Sequence, residues 1–435
     1  MFKSILNTLG TRFISALTSF ILLITSANYL GAAGNGVIGT LLTCIGLLMM
    51  INGIAGGSAL VYLMPQNPSR HFFIHTLIIA ATWSVITCSI SCLVLGYFNY
   101  IPHHLIIHGM LIGLLACNSL FHALILLANE KVSEHNMTTL LQVVVNTFLF
   151  ILITFITSQA SVKTYLITLY CGYGISYLYS CWRILALYRS LAPIPDQSDF
   201  IINAKRIIYY GFISQISNLI QFLNYRLSIF VLNRYVGEAE IGVFYYGIRL
   251  SEAIWMISSS ISLVLYTRIA NTINQDYKEQ ITLNLTKISF IATFLSAMLL
   301  IIIPLEWFTF ILSRDFYQVH QIILVLSPGI VFFSISTTLS HYFAGQGKYQ
   351  INTYANLSGL IITLTGNAFL VPKMGIIGAG IVSSVSYITN TILLIFIWTK
   401  LTHRPVSNFL VHPHEIAQLY QQIIKNKTKN LPPSH

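Results

Sequence analysis

Charge is scarce in this chain of 435 residues: 8% are Asp, Glu, Lys or Arg, and the 12 acids are outnumbered by 23 basic residues. So few charges cannot solvate the surface of a soluble protein this long. With 55% hydrophobic residues and a mean hydropathy of +0.73, the chain reads as a polytopic membrane protein. Long polar loops are also missing, as are a carboxylate pair, a nucleophile constellation and any nucleotide-binding motif. These absences argue against an enzyme and against direct use of ATP, and no catalytic residue is assigned. Cys44, Cys88, Cys92, Cys117, Cys171 and Cys181 all fall in apolar segments. Cys88 and Cys92 are one turn apart without a His or acid nearby, so they read as buried thiols and no metal site is assigned.

What is present is a succession of apolar runs. A helix needs about 20 apolar residues to cross a hydrocarbon core of roughly 30 Å. By that measure about twelve spans are expected, at 11–31, 37–63, 73–97, 105–128, 138–158 and 164–187, then 207–233, 239–266, 287–311, 319–344, 351–371 and 376–400. Pro304 and Pro328 are expected to kink their spans. Residues 191–206, with Pro193, Pro195, Asp196 and Asp199, form the one longer polar linker. The organisation expected is an N-terminal six-helix lobe (1–190), a cytoplasmic linker (191–206), a C-terminal six-helix lobe (207–400) and a basic tail (401–435). The first segment, basic at its start and ending in small residues, has the outline of a signal peptide. The apolar segment that follows it directly and the repeat described below favour a retained helix.

Lys and Arg set the orientation, because cytoplasmic loops carry their excess. About seventeen fall at the N-terminus, in the even-numbered loops and in the tail. About four, Lys163, Arg234, Arg314 and Lys373, fall on the other side. Both termini are therefore expected in the cytoplasm. The net charge of +11 is spread along loops beside the bilayer, which fits anionic membrane lipid rather than nucleic acid. In the tail, Ile416, Leu419, Tyr420 and Ile423 at helical spacing, followed by Lys425, Lys427 and Lys429, predict a surface helix.

The chain is duplicated. Tyr29-Leu30-Gly31-Ala32-Ala33-Gly34-Asn35-Gly36-Val37 returns 206 residues later as Tyr235-Val236-Gly237-Glu238-Ala239-Glu240-Ile241-Gly242-Val243, with five of nine positions identical. Both copies join a first span to a second, which predicts two halves related by a twofold axis along the membrane normal. The halves differ where it matters. Arg226, Arg249 and Glu252 align with Phe20, Thr43 and Gly46, so the first half has no matching charge, while Gly39 and Gly46 would allow a ligand close approach to a smoother wall.

Those three charges are the main functional signal. A charge at the bilayer centre costs roughly 2.5 to 3.5 kcal/mol, and residues that bear it usually line a transport path. Gly211, Ser214, Gln215, Asn218, Gln221 and Tyr225 share one face of span seven, with Arg226 at its edge. Tyr245, Arg249, Glu252 and Ser259 align on span eight. Arg226 and Arg249 would form a cationic wall for an anionic ligand, with Gln215, Asn218, Gln221, Tyr225 and Tyr245 lining the cavity. Arg249 and Glu252, three residues apart, could equally be a structural ion pair, and Glu252 could couple transport to H+ or Na+. His122 and His341 are assigned no role.

Several stretches resemble the polysaccharide flippases of the multidrug/oligosaccharidyl-lipid/polysaccharide superfamily, which include O-antigen and capsule repeat-unit exporters. They are Arg226 with Arg234-Tyr235-Val236-Gly237, Gly242-Val243-Phe244-Tyr245, Glu252-Ala253-Ile254-Trp255, Gly345-Gln346-Gly347-Lys348-Tyr349, and residues 367–380 around Pro372 and Gly375. The resemblance implies an all-α protein of about twelve transmembrane helices in a bacterial inner membrane. It would move a polyprenyl diphosphate-linked oligosaccharide of lipopolysaccharide or capsule synthesis to the periplasmic leaflet, without a cofactor, with glycan polymerase or assembly proteins as partners. It carries cavity roles to Arg226, Arg249 and Glu252 and, more weakly, to Arg12. The alternatives are an ion-coupled drug exporter of the same superfamily and a membrane glycan polymerase or ligase, the latter disfavoured by the short external loops.

Overall fold

Helix length alone forces the first turn-back. The computed structural model describes residues 2–67, 69–157, 160–191 and 199–410. Its first helix, α1 (Phe2–Asn52), has 51 residues, about 76 Å at 1.5 Å each and more than twice the thickness of a hydrocarbon core. It breaks at Gly31, whose φ of 63° and ψ of −174° a side chain rarely adopts, so it is two helices meeting in the first copy of the repeat. The last long helix, α13 (Tyr349–Thr402), breaks likewise at Gly375 (φ 54°, ψ −132°), three residues after Pro372.

Between them lie α2 (Leu60–Gln66), α3 (Arg70–Tyr97), α4 (Ile106–Ala128), α5 (Val132–Thr157), α6 (Val162–Ser190), α7 (Phe200–Leu232), α8 (Glu238–Ala253), α9 (Trp255–Ala270), α10 (Gln275–Ile302), α11 (Leu305–Leu312) and α12 (Val319–Gly345). Eight stretches among the described residues are long and apolar enough to cross a membrane. Two of these, containing α1 and α13, each hold two helices. The more polar α6 and α7, of 29 and 33 residues, bring the total to twelve. The protein is thus an all-α polytopic membrane protein, and the described residues contain no strand.

Three expected spans differ in detail. Span two was expected to run to residue 63, but its helix stops at Asn52. It continues as short 3-10 turns at Gly53–Ala55 and Gly57–Ala59, with Gly56 and Gly57 at φ of 122° and 39°. Span eight is interrupted at Ile254, where Ile254 N–H donates to the Ser251 carbonyl and Ile257 N–H to that of Ile254, both at 3.2 Å. These tightened turns involve neither Gly nor Pro, which is why the sequence showed no break. Pro304, expected inside a span, instead caps α11 after α10 has ended, because a proline has no N–H to continue the helix. Pro328 does lie within α12.

Two compact units emerge. The first comprises residues 1–249, 303–325 and 360–383, and the second 250–302, 326–359 and 384–435. In the first, α5 packs along α6 and α1, and α4 against α6 and α3. Leu41, Ile45, Ile112, Phe150, Tyr165 and Leu169 form one of its cores. Leu48, Cys88, Cys92 and Cys117 form a smaller one. The second unit is held by an aromatic cluster, with the Trp255 ring 4.7 Å from Phe333 and 5.4 Å from Tyr387. A buried polar chain adds to it: Ser336 donates to Asn390 Oδ1 at 2.7 Å, and Asn390 donates to Asn356 Oδ1 at 3.0 Å. Arg404 pairs there with Glu279 and Asp276. The helix expected at Ile416–Lys429 lies outside the described residues.

Candidate functional site

The two copies of the repeat fold against each other in the first unit. A Cβ on Gly36 would stand 1.8 Å from the Glu238 carbonyl oxygen, and one on Gly242 would stand 2.0 Å from that of Ala32. Glu238 is the repeat counterpart of Ala32, and Gly242 of Gly36, so the two contacts are the same contact seen from either copy. Such reciprocity is what a local twofold axis produces. Only glycine permits this approach of backbone to backbone.

Further along, the seam becomes notch and knob. Gly39, Gly46 and Gly53 recur every seven residues, about two helical turns, and so share a face. Cβ atoms there would lie 2.8 Å from the Tyr245 ring, 3.0 Å from the Phe222 ring and 2.7 Å from the Gln215 amide, respectively. Phe222 and Gln215 are also seven apart, in the antiparallel sense. Gly211 continues the seam, within 2.2 Å of the Ile54 carbonyl on the same criterion. The sequence pointed to Gly39 and Gly46 as places where a ligand could approach closely; instead the Tyr245 and Phe222 rings occupy that space.

Polar bonds secure the repeat end of this seam. The Tyr246 hydroxyl lies 2.7 Å from Ser26 Oγ and 2.9 Å from both the Leu23 carbonyl and Asn35 Oδ1. Asn35 Nδ2 donates to the carbonyls of Ser26 and Gly31 at 2.8 and 2.7 Å, bracing the break in α1. Asp315 Oδ2 accepts Ala32 N–H at 3.3 Å, and Asn28 Nδ2 donates to the Ile311 carbonyl at 2.6 Å. A carboxylate is well placed there, beside the N-terminal end of a helix segment.

The expected site residues fall around the seam. Arg249 is exposed on α8, and its Nε and Nη2 donate to the Tyr245 hydroxyl at 3.1 and 3.0 Å, with its guanidinium 5.1 Å from the Tyr245 ring centre. Tyr245 itself is buried against Gly39. On α6, Tyr165 is buried with its ring 5.2 Å from that of Phe150, and Tyr173 is half-buried. Arg226 is half-buried on α7. One turn away Gln221 Nε2 donates to the Tyr225 hydroxyl at 2.7 Å. Two buried rungs fix the rotation of α7: Thr363 donates to Asn224 Oδ1 at 2.6 Å, and Asn367 to Ser228 Oγ at 3.1 Å. Asn218 is exposed and donates to Gln215 Oε1 at 3.2 Å, while Gln215 is buried in the Gly53 notch. Glu252, half-buried, stands two residues before the interruption at Ile254, and Arg12 is exposed on α1. His122, buried on α4, has its Nδ1 3.0 Å from Ser180 Oγ.

Comparison with known proteins agrees with this architecture. Residues 214–369 match the MatE family model. A Shigella flexneri protein, "Putative O-antigen transporter", is 25% identical over 202 residues, 45% of this chain and 47% of that protein; the match thus spans about half the length of that relative. Among solved structures, "Lipid II flippase MurJ, inward closed conformation" aligns with a TM-score of 0.76 at 15% identity, covering 94% of this chain and 89% of that one. An inward-facing multidrug resistance MATE family transporter aligns at 0.63 and 13% identity, covering 91% and 95%. A transporter from Pyrococcus furiosus described as having a binding pocket of reversed polarity aligns at 0.63 and 14%, covering 93% and 94%. At these identities the structures speak for the fold. Over residues 214–369 the chain is thus similar to the MatE family, and its fold is that of these transporters.

Proposed function

We propose that this protein is a flippase that moves a polyprenyl diphosphate-linked oligosaccharide from the cytoplasmic to the periplasmic leaflet of a bacterial inner membrane. The observation that carries the reading is Arg249, an exposed guanidinium well inside a membrane helix and oriented by Tyr245. A fixed cation at that depth suits an anionic group crossing the membrane, and the planar donor fork of Arg suits phosphate oxygens. Arg226 extends the cationic wall, and Asn218, Gln221 and Tyr225 supply hydroxyl, amide and ring surfaces for sugars, while the prenyl tail stays in lipid. The six-helix lobes would alternate in access to the two sides, with the termini cytoplasmic and Glu252 as the point of coupling to H+ or Na+. The Shigella flexneri relative and the lipid II flippase support a lipid-linked cargo, and glycan polymerase or assembly proteins are the partners such a role would bring.

The test is mass spectrometry of polyprenyl-linked glycans from cells depleted of the protein and rescued with wild type or Arg249→Ala. One diphosphate-linked oligosaccharide should accumulate on depletion and clear with wild type alone. Unchanged glycans under confirmed depletion would sink the reading. The MatE match and the multidrug transporter structures favour a second reading, an ion-coupled drug exporter. Efflux of a cationic dye that depends on Glu252 but not on Arg249 would support it instead.

A further inference from the structure

A second cationic feature lies away from the seam's central notches, where the N-terminal ends of α3 and α7 meet. Arg206 Nη1 donates to Asn67 Oδ1 at 3.0 Å and its Nη2 to Gln66 Oε1 at 3.3 Å. Arg70 Nε donates to the Leu191 carbonyl at 2.7 Å and, more loosely, its Nη2 to that of Arg189 at 3.5 Å. Its guanidinium stands 5.3 Å from the Tyr188 ring centre. Every acceptor in this set is a neutral oxygen, so among the described residues the guanidiniums are fixed in place without their charge being cancelled. These bonds use two of the five N–H groups that each guanidinium carries.

The surroundings add positive potential. Neither α3 nor α7 has an acid in its first turn, and both present an N-terminal end, with its partial positive charge, to the same corner. The ends are tied together by Asn203 Nδ2, 3.0 Å from His75 Nδ1, and by the His75 ring 5.1 Å from that of Phe200. Asp199 is committed to capping α7 through Ile201 N–H at 3.0 Å. Lys205 is exposed next to Arg206, as is His71 next to Arg70.

The depth of this corner identifies the ligand. Tyr62 and Tyr209 are 56% and 63% exposed beside it, and Tyr210 bridges them with ring distances of 5.9 and 5.5 Å. Exposed tyrosines clustered with Arg and Lys mark the headgroup level of a membrane. Ile201 and Ile202, also exposed, offer apolar surface for an acyl chain.

We propose that Arg70, Lys205 and Arg206 form a binding site for the phosphate of an anionic membrane lipid, filled from the surrounding bilayer and separate from the transport site. Because Arg70 belongs to the first half and Arg206 to the second, an anion held by both favours the arrangement in which α3 and α7 are joined.

The experiment uses the full chain purified in a neutral detergent. Binding is followed by native mass spectrometry and by the melting temperature, on addition of phosphatidylglycerol, of phosphatidylcholine, or of inorganic pyrophosphate. Phosphatidylglycerol should be retained and should raise the melting temperature, whereas phosphatidylcholine and pyrophosphate should do neither. Each basic residue near a membrane surface contributes enough that Arg70→Gln with Arg206→Gln should weaken retention roughly thirtyfold. Lys205→Gln, at an exposed position that does not threaten folding, should weaken it about fivefold. Replacement of both arginines by Lys should preserve most of the binding. Equal retention by wild type and Lys205→Gln would overturn the proposal, as would equal stabilisation by the two lipids. Displacement of phosphatidylglycerol by equimolar pyrophosphate would also overturn it, by assigning the site to a soluble anion. None of these outcomes depends on what the transporter carries.

Discussion

Replacing Gly36 with valine tests whether the repeat seam is a moving part. The first atom added would lie 1.8 Å from the Glu238 carbonyl oxygen, against a normal approach of a little over 3 Å. The seam must therefore part by more than about 1 Å there. That is enough to carry the Tyr246 hydroxyl, now 2.7 Å from Ser26 Oγ, out of hydrogen-bond range. Overpacking of this kind typically costs about 1 to 3 kcal/mol. If the seam opens during transport, that cost falls on the closed state alone and shifts the equilibrium roughly five- to 150-fold toward the open one. Spin labels at Tyr29→Cys and Tyr235→Cys, exposed counterparts in the two copies, report the separation by pulsed electron resonance. Gly36→Val should lengthen the mean distance and deplete the short population. Gly237→Ala, in the same motif but with nothing within 4 Å of its new atom, should leave both unchanged. A folded Gly36→Val protein with the wild-type distance distribution and full transport would refute the reasoning.

Other substitutions probe separate parts. Arg249→Lys should retain charge but lose the paired donors to Tyr245, so glycan clearance in cells should fall well below wild type yet stay above Arg249→Ala; equal clearance by all three would remove Arg249 from the path. Asn224→Leu removes one buried hydrogen bond, that from the Thr363 hydroxyl, and should cost about 1 kcal/mol, read as a lower melting temperature in detergent. Trp398→Ala, at a fully buried position edge-on to Phe409, should cost about 3 to 5 kcal/mol in the same assay. Arg404→Ala strands the buried carboxylate of Glu279 and should destabilise by a similar amount at neutral pH, with much of the loss recovered by adding Glu279→Gln.

Span number was legible because the bilayer imposes a minimum apolar length, and the breaks at Gly31 and Gly375 fell where glycine and proline punctuated the pattern. The interruption at Ile254 was not legible. It occurs in a run of ordinary helix formers and serine, next to Trp255, whose partners Phe333 and Tyr387 are far away in the chain. The same limit applies to the site. Periodicity placed Gln215 and Asn218 on one face of α7, but Gln215 is buried in the Gly53 notch and Asn218 is exposed, because what lies opposite each turn is set by another helix. Tyr246, Asp315, Tyr165 and Tyr173 carried no signal at all. A tyrosine or a loop aspartate becomes informative only once Ser26, Ala32 or Phe150 stands beside it.

The glycine notches bear on the history of the chain. Gly39 faces Tyr245, which is its own counterpart in the second copy. In a symmetric ancestor made of two identical halves, that position would have met itself on the axis. Two glycines there leave a hole, and two tyrosines cannot share the space. A notch and a knob fit, but only when the halves are free to differ. The pairing of Gly39 with Tyr245 could therefore arise only once the two copies were free to diverge, and fusing two first halves or two second halves today should not rebuild the seam.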